Sequence, residues 1–534
     1  MKTKIKDFLN ITALSVSIAG MMLLSSCTDD LNTIPLDKDI LASEVAWKDS
    51  ATYISSLAKV YAGLTLSGNQ GPDQKGDINN GDQGNTTFTR GLWNFQELTT
   101  DEAKNSWGDG GLNPIQFNTY GSSNTYLYLF FQRVMLNIAF ANEYLRESTQ
   151  AKLDSRGFGG MWTEVAKYRD EVKAIRALNY YYLMDIYGNP PFITEDDGIG
   201  AGIYPVQIKR ADLFNWIETQ LLAIETNGIL PATDYSRMSL ASVRMLLAKI
   251  YLNAEVYAKT NRFADAAIYS KKVIDAYPSE LVSNYANLFC GQNDKYSQEI
   301  IFGLPFDAAN ATCFGGTTYI MAASFLGDDM APATNFGLNA SWAGNRTTQN
   351  LTTLFDKSYD NRYMFWETNR KENVEDWKIF KDGYSVVKFT NLDANATTYT
   401  STVSAPGFAN CDFPLFRLAD AYLMYPEALI RSGNTSSSDI TKYFNKVRTR
   451  AGVDELSLAE ITLDKILDER ARELYWEGHR RTDLIRFGKY LSGYNWPYKG
   501  GILAGKDLNP KYLIFPIPST ELSANPKLTQ NDGY

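Results

Sequence analysis

The feature that most constrains the fold of this chain is helical periodicity, which recurs in three separate blocks. Within each block apolar residues return every three or four positions, the spacing that places them on one face of an α-helix. The longest pattern ends at Gly188 and the pair Pro190-Pro191, which are strong stop signals. The predicted helices cover 43–64, 125–147 and 161–187, then 211–225, 239–258 and 262–277, and finally 418–432, 437–451 and 463–487.

Helices that follow one another closely in sequence favour antiparallel pairs. Their small contact residues are typical of tetratricopeptide packing, although the chain carries no strict repeat of about 34 residues. Two long stretches, 68–121 and 307–350, interrupt the helices and are rich in Gly, Asn, Thr and Asp with interleaved aromatic residues. Loops of this length in a compact protein usually carry function. We therefore predict a mainly α fold: helix pairs form a scaffold, with long irregular loops and short strands such as 299–304 and 384–389.

The N-terminus has the pattern of a secretory signal that ends in a cysteine. Lys2, Lys4 and Lys6 precede an apolar stretch over 8–24, and Leu24-Ser-Ser-Cys27 closes it. This pattern resembles a bacterial lipobox, so residues 1–26 are predicted to be a lipoprotein signal peptide and Cys27 the acylated N-terminus. Each buried acyl CH₂ contributes about 0.8 kcal/mol, so several chains hold a protein firmly to a bilayer. A transmembrane anchor and an ordinary cleaved signal are the alternative interpretations of this N-terminal segment. Residues 27–42 are predicted to form a flexible tether.

The net charge and the cysteine content exclude several classes of binding partner and of bound metal. The net charge of −9 argues against nucleic acid and against electrostatic docking on anionic lipid. Besides Cys27 the chain has Cys290, Cys313 and Cys411, whose wide spacing predicts neither a disulfide framework nor a zinc site. The single histidine, His479, has no acidic orienting residue or nucleophile beside it, so no catalytic role is expected.

A charged segment near the C-terminus has a structural interpretation. Its charges alternate in sign at separations of three and four residues, which favours ion pairs along one helix and to its neighbours. The residues concerned are Glu469, Arg470, Glu473, Glu477, Arg480, Arg481, Asp483 and Arg486. We expect a structural network there and no ligand site.

Several segments, in order along the chain, resemble the SusD/RagB family of outer-membrane nutrient-binding lipoproteins. They include Asp468-Glu-Arg-Ala-Arg-Glu-Leu-Tyr-Trp-Glu-Gly-His479 and Phe515-Pro-Ile-Pro518, and together they cover 171–191, 416–428, 468–488, 515–518 and 530–534. The resemblance implies a tetratricopeptide-like fold, divided here into 43–290 and 291–534. It also implies lipid anchoring at the outer membrane, with exposure at the cell surface, and a SusC-like TonB-dependent transporter as partner.

A sugar presents flat apolar faces edged by hydroxyl groups, so its binding site needs aromatic rings with polar groups at their rim. The first long loop supplies Asp82, Arg90 and Trp107, and the second supplies Phe314, Tyr319 and Trp342. If the two loops converge, these residues form an aromatic arc with polar edges. We therefore predict a glycan-binding site built from both loops.

The family resemblance implies more specific roles. Trp107 falls on a stacking position, Arg90 and Asp82 on polar contacts, and Phe314 where starch-binding members have a tyrosine. Trp342 would be the last ring. Asn105 stands at a ligand position that is a tryptophan in those members, and Gly110 stands where they have an asparagine. Compared with those members, the site of this chain would thus lack one aromatic ring for stacking and one hydrogen bond to the ligand.

These roles predict a non-enzymatic protein that captures an oligosaccharide or polysaccharide, with α-glucan favoured over fructan and other glycans. Peptide capture, as in the RagB branch, is a second hypothesis. A glycoside hydrolase is a remote third, since it needs two carboxylates in a cleft and no loop pair stands out. Family analogy also suggests Ca²⁺ near Asn293 and Asp294, but two donors are far short of the six to eight that calcium takes. No other cofactor is expected.

Overall fold

The structure is a computed structural model that describes residues 46–79, 81–198, 200, 202–325, 333–398 and 405–534. The predicted signal peptide, Cys27 and the tether over 27–42 lie outside the described residues. Within the described ranges, no helix combines the length and the apolar character needed to cross a bilayer.

Helices of very different length make up most of the N-terminal half. They are α1 (Ala51–Ala62), α2 (Phe88–Trp93), α3 (Leu112–Gln116), α4 (Thr125–Glu147), α5 (Gln150–Ser155), α6 (Trp162–Ile186), α7 (Arg210–Asn227), α8 (Leu240–Leu252), α9 (Ala254–Tyr257) and α10 (Phe263–Ala276). The later helices are α11 (Gly316–Ser324), α12 (Gln349–Thr352), α13 (Leu418–Arg431), α14 (Ser438–Ala451), α15 (Leu463–Leu474), α16 (Arg480–Arg486) and α17 (Ser519–Ala524). A π-helix over Asn94–Leu98 continues α2.

The long helices pack in sequential pairs. α4 lies on α6, α6 on α7, α7 on α8, α8 on α10, α10 on α13 and α13 on α14. Each helix buries one face against the previous helix and another against the next, as in stacked helical repeats. The predicted mainly α scaffold of tetratricopeptide-like pairs is therefore confirmed.

Local sequence explains where several of these helices begin and end. The Asn124 side chain accepts hydrogen bonds from the Tyr126 and Leu127 amides, which caps the N-terminus of α4. Ser239 caps α8 and Thr462 caps α15 in the same way. Gly452 follows α14 at φ 79°, a left-handed conformation that a glycine adopts without the steric cost of a side chain.

The predicted helix over 463–487 is wrong as a single element. The chain leaves α15 at Tyr475 and starts α16 only at Arg480, because Trp476 and Gly478 take positive φ values of 65° and 83°. A buried carboxylate fixes this turn: the Gly478 amide donates to Oε1 of Glu97 at 2.6 Å. The conformation therefore depends on a residue almost 400 positions earlier.

The strands are short and pair only in twos among the described residues. The antiparallel pairs are β1 (Lys104–Asn105) with β5 (Asn345–Arg346), β2 (Pro191–Phe192) with β3 (Val206–Gln207), β4 (Ile300–Leu304) with β8 (Phe413–Arg417), and β6 (Phe365–Trp366) with β7 (Ser385–Val386). The predicted strand over 299–304 is observed as β4, whereas only β7 forms within 384–389. The β4–β8 pair is fully buried.

One hydrophobic core runs through most of the molecule. Its buried members extend from Trp47 to Leu528, and helices from both predicted regions contribute to it. A smaller cluster around Leu484, Tyr490 and Trp496 lies near the C-terminus. The division of the chain near residue 290 stays a prediction, since residues on both sides of it share this core.

The charged C-terminal segment forms a buried ion network, as predicted. The Arg417 guanidinium contacts Glu299 at 2.8 Å, Glu473 at 2.9 Å and Glu477 at 2.7 Å. Although burial raises the pKa of Glu473, Arg450, Arg417 and Arg362 lower it to about 2. The carboxylates therefore remain charged in the interior because each faces several guanidinium groups.

Candidate ligand-binding site

The two long loops meet through the two-residue ladder between β1 and β5. Asn105 pairs with Asn345, and its Nδ2 donates to Oδ1 of Asn345 at 2.6 Å across 240 residues of sequence. The pairing extends one residue further, since the Ser106 amide donates to the Gly344 carbonyl at 2.9 Å. This ladder places Trp107 and Trp342 at the same part of the surface.

Trp107 lies at the centre of one aromatic group. Its ring centroid is 6.1 Å from that of Tyr319, with an angle of 59° between the planes. The Arg90 guanidinium lies 4.2 Å from the Tyr319 ring and 5.9 Å from the Trp107 ring. Trp107 is half-buried, so part of its indole faces solvent.

A second aromatic group contains Phe314 and Trp342, whose centroids are 6.2 Å apart. Phe408 joins it at 5.2 Å from Phe314. Phe314 and Trp342 are both half-buried. The Trp342 amide donates to the carbonyl of Ala322 in α11 at 2.7 Å, which fixes this ring to the scaffold.

Arg90 and Asp82 form a polar edge beside the rings. Arg90 Nη1 lies 4.0 Å from Asp82 Oδ1, and the Asp82 side chain is 66% exposed. Arg90 is almost fully buried, yet its Nε has no hydrogen-bond partner among the described residues. This nitrogen is itself shielded from solvent, so the exposed carboxylate of Asp82 is the polar group of this edge that a ligand can reach. We call Trp107, Arg90, Phe314 and Trp342 the primary face.

Tyr319 and Asn105 do not reach the surface, which corrects their expected role as direct contacts. Both have 0% exposure. The Tyr319 hydroxyl donates to Oδ1 of Asn94 at 2.8 Å. Oδ1 of Asn105 accepts the Trp107 amide at 2.7 Å. In this structure both residues support Trp107 from beneath, and neither offers surface to a ligand.

Behind the primary face lies a row of buried rings. Trp93 packs edge-on against Tyr319 at 5.5 Å and against Trp476 at 4.9 Å. Sequence reasoning missed Phe408 and Asn94 as members of this region. The sequence gives no signal for either, because both come close only through long-range packing.

A pair of buried carboxyl groups lies under the first loop. Glu97, in the π-helix, and Glu102 are almost completely buried, and Oε2 of Glu102 accepts the Trp476 amide at 3.2 Å. Burial raises the pKa of Glu97 to about 7, although hydrogen bonds from Glu102, Gly478 and His479 oppose it. Burial and the neighbouring Glu97 raise the pKa of Glu102 as well. The pair retains a proton, but it is sealed from solvent and cannot contact a glycosidic bond.

The remaining candidates for metal binding or catalysis make no contact with the rings of the primary face among the described residues. The Asn293 side chain donates to the Leu288 and Asp412 carbonyls and accepts the Asp412 amide, with 0% exposure. Asn293 is therefore not available to calcium, and Asp294 alone is exposed. The described residues contain no group of three or more His, Cys, Asp or Glu suited to a metal. Burial lowers the pKa of His479 to about 3, with Lys249 adding to the shift.

The fold and this face define a helical-repeat protein with an aromatic surface site. A model of the SusD family matches residues 322–534. The starch-binding protein SusD of Bacteroides thetaiotaomicron is 29% identical over the full length of both chains. Among solved structures, a SusD superfamily protein from Parabacteroides distasonis has a TM-score of 0.69 at 20% identity, covering 93% of this chain and 100% of its own.

A further solved structure is surface glycan-binding protein A from B. thetaiotaomicron in complex with laminarihexaose. It superposes with a TM-score of 0.67 at 18% identity, covering 90% of this chain and 99% of its own. The starch-binding relative aligns over the whole chain, and the two solved structures cover 93% and 90% of it. This chain is thus similar to SusD proteins in its C-terminal sequence and in its fold.

Proposed function

We propose that this protein is a surface lipoprotein that captures oligosaccharide or polysaccharide and delivers it to a SusC-like TonB-dependent transporter. One observation carries the proposal: the β1–β5 ladder brings half-buried rings from two distant loops together beside Arg90 and Asp82. Ring faces bind the apolar faces of sugars, and the exposed carboxylate of Asp82 provides a hydrogen-bond acceptor for a hydroxyl. The role is binding without catalysis.

The ligand that we favour is an α-glucan. The relative named as a starch-binding protein matches over its full length, and the structural relative named with laminarihexaose extends the range to other glucans. Fructan remains an alternative within the same role. The N-terminal lipobox pattern supports acylation of Cys27, anchoring to the outer membrane and display at the cell surface.

Avidity explains how a protein with modest affinity at each site can hold a polymer. An aromatic contact contributes about 0.5–1.5 kcal/mol beyond the area it buries. A polymer that spans many anchored copies is nevertheless held, since each further contact is effectively intramolecular.

Affinity electrophoresis in gels containing starch, levan or laminarin tests the proposal. We expect the wild-type protein to be retarded by at least one of them. Trp107→Ala and Trp342→Ala should each reduce that retardation about two- to tenfold, from the ring contribution just given. Trp162→Ala is the matched control, because Trp162 is also half-buried but lies at the start of α6, outside both loops.

Absence of retardation in every gel would remove the glycan assignment. Binding of oligopeptides in isothermal titration, without glycan binding, would support the RagB-like alternative. Release of reducing ends from the retarding polysaccharide would support the hydrolase alternative.

A further inference from the structure

We propose that a second glycan subsite lies beside the primary face, on a ring cluster formed by Phe117, Trp377 and Tyr498. It would take further sugar units of the same chain that occupies the primary face. The proposal rests on the proposed function and adds a length preference to it. We call these three residues the outer cluster.

The three rings of the outer cluster are in direct contact. The Phe117 ring centroid lies 5.3 Å from that of Trp377, with the planes at 75°. It lies 5.7 Å from that of Tyr498, with the planes at 37°. Phe117 and Tyr498 thus form a shallow angled surface with Trp377 standing at its edge.

The outer cluster is open to solvent. All three rings are half-buried, and the Trp377 indole N–H makes no hydrogen bond within the described part of the chain. The neighbouring Ile379 and Ile502 are 48% and 46% exposed. Exposed ring surface beside a free indole donor is the combination that sugars require: an apolar face and a partner for a hydroxyl.

Two connections fix the outer cluster to the strand that leads into Trp107. Arg346, in β5, is almost fully buried, and its guanidinium donates to the Ser106 hydroxyl and to the Trp377 carbonyl. Gln116, the neighbour of Phe117, exchanges two hydrogen bonds with the backbone of Asn105, at 2.8 and 2.9 Å. One guanidinium thus spans the gap between Ser106, the residue before Trp107, and the backbone that carries Trp377.

The backbone around Tyr498 is held in an unusual conformation. Tyr498 has φ 64°, a left-handed value that is uncommon for a residue with a side chain. Its hydroxyl donates to the Glu375 carbonyl at 2.8 Å and accepts the Trp377 amide at 3.4 Å. These bonds hold the ring in place on the segment that carries Trp377. Strain that is over-determined in this way is typical of binding sites.

Binding measured as a function of chain length tests the subsite. We would titrate purified protein with maltotriose and with amylopectin, and in a second arm with laminaritriose and laminarin. Trp377→Ala should weaken binding of the polysaccharide about three- to tenfold and leave the trisaccharide unaffected, because a trisaccharide fills only the primary face. Trp107→Ala should weaken binding of both.

Two further variants make the result specific. Phe117→Leu keeps an apolar side chain but removes the central ring, so it should reproduce the loss for the polysaccharide. Tyr359→Ala is the control, because Tyr359 is 51% exposed and makes no ring contact among the described residues. Equal polysaccharide affinity of wild-type protein, Trp377→Ala and Phe117→Leu would overturn the subsite alone. Absence of any glycan binding by wild-type protein would overturn both the subsite and the proposed function.

Discussion

At the residue scale, the position of Trp107 depends on Gly344. Gly344 has φ 114°, and a Cβ atom added there would lie 2.3 Å from Nε1 of Trp107. The indole can therefore rest against the second loop only because this residue has no side chain. Gly344 thus sets how the main stacking ring is presented.

Substituting Gly344 with alanine should displace the Trp107 indole. We expect Gly344→Ala to weaken glycan binding severalfold and to destabilise the protein by about 1–3 kcal/mol, because the backbone conformation becomes strained. Gly121→Ala, at the end of the first loop, is the control, since nothing lies within 4 Å of a Cβ atom there. Affinity electrophoresis and thermal melting measure the two effects. Wild-type binding by Gly344→Ala would contradict this account.

Sequence analysis identified some residues of the ligand-binding site and misjudged or missed others. Residue type and family resemblance were sufficient to identify five candidate residues of the site: Trp107, Phe314, Trp342, Arg90 and Asp82. That Tyr319 is buried could not be predicted, because its hydroxyl bonds to Asn94, 225 positions away. Exposure of an aromatic residue in a loop is decided by its distant neighbours.

At the scale of elements, the Glu97–Glu102 pair couples the π-helix to the turn between α15 and α16. The pKa of Glu97 is raised from 4.5 to about 7, so the folded protein holds a proton that the unfolded chain releases near pH 4.5. The stability that this proton contributes is complete below pH 4.5 and is lost as the pH rises towards 7.

Glu97→Gln should remove the part of this pH dependence that Glu97 contributes, whereas burial still raises the pKa of Glu102. The amide keeps an acceptor for the Gly478 N–H and supplies a permanent donor to Glu102. We expect the variant to be similar to wild type in stability at pH 5 and more stable at pH 8 by up to about 3 kcal/mol. Denaturant unfolding at the two pH values measures the difference.

His479→Gln serves as the control for this experiment. Histidine usually titrates in the same pH range, but the pKa of His479 is lowered to about 3, so this residue stays neutral throughout. The variant should keep the wild-type pH dependence. If His479→Gln abolishes the slope and Glu97→Gln preserves it, the assignment to the carboxyl pair is wrong.

The long helices were predictable because their apolar periodicity and caps are local. The predicted helix over 125–147 has the observed bounds of α4. The break at 475–479 was not predictable, since the carboxylate that holds it belongs to Glu97. The short helices α2 and α11, inside stretches expected to be irregular, were missed because they are too short to show a periodic pattern.

At the scale of the whole molecule, the buried ion network joins β8, α14, α15 and Glu299, the residue before β4. Arg417 alone faces three carboxylates, those of Glu299, Glu473 and Glu477. A buried charge without its partner is strongly unfavourable, so removing the shared guanidinium affects all three.

Arg417→Met should destabilise the protein by about 3–5 kcal/mol. Lys446→Met is the control, because Lys446 pairs with the exposed Glu280 at the surface, where such pairs contribute about 0–1 kcal/mol. Thermal or denaturant unfolding compares the two variants. Equal stability of both would show that the interior carboxylates tolerate the loss of their shared cation.

The ladder between β1 and β5 has a consequence for when binding becomes possible. It closes a segment of 240 residues, and such long-range contacts form late because chain entropy opposes them. A nascent or partly unfolded chain therefore has no competent surface for its cargo. Because the glycan binds only the folded protein, glycan binding and folding are thermodynamically linked. A bound glycan therefore also stabilises the protein against denaturation.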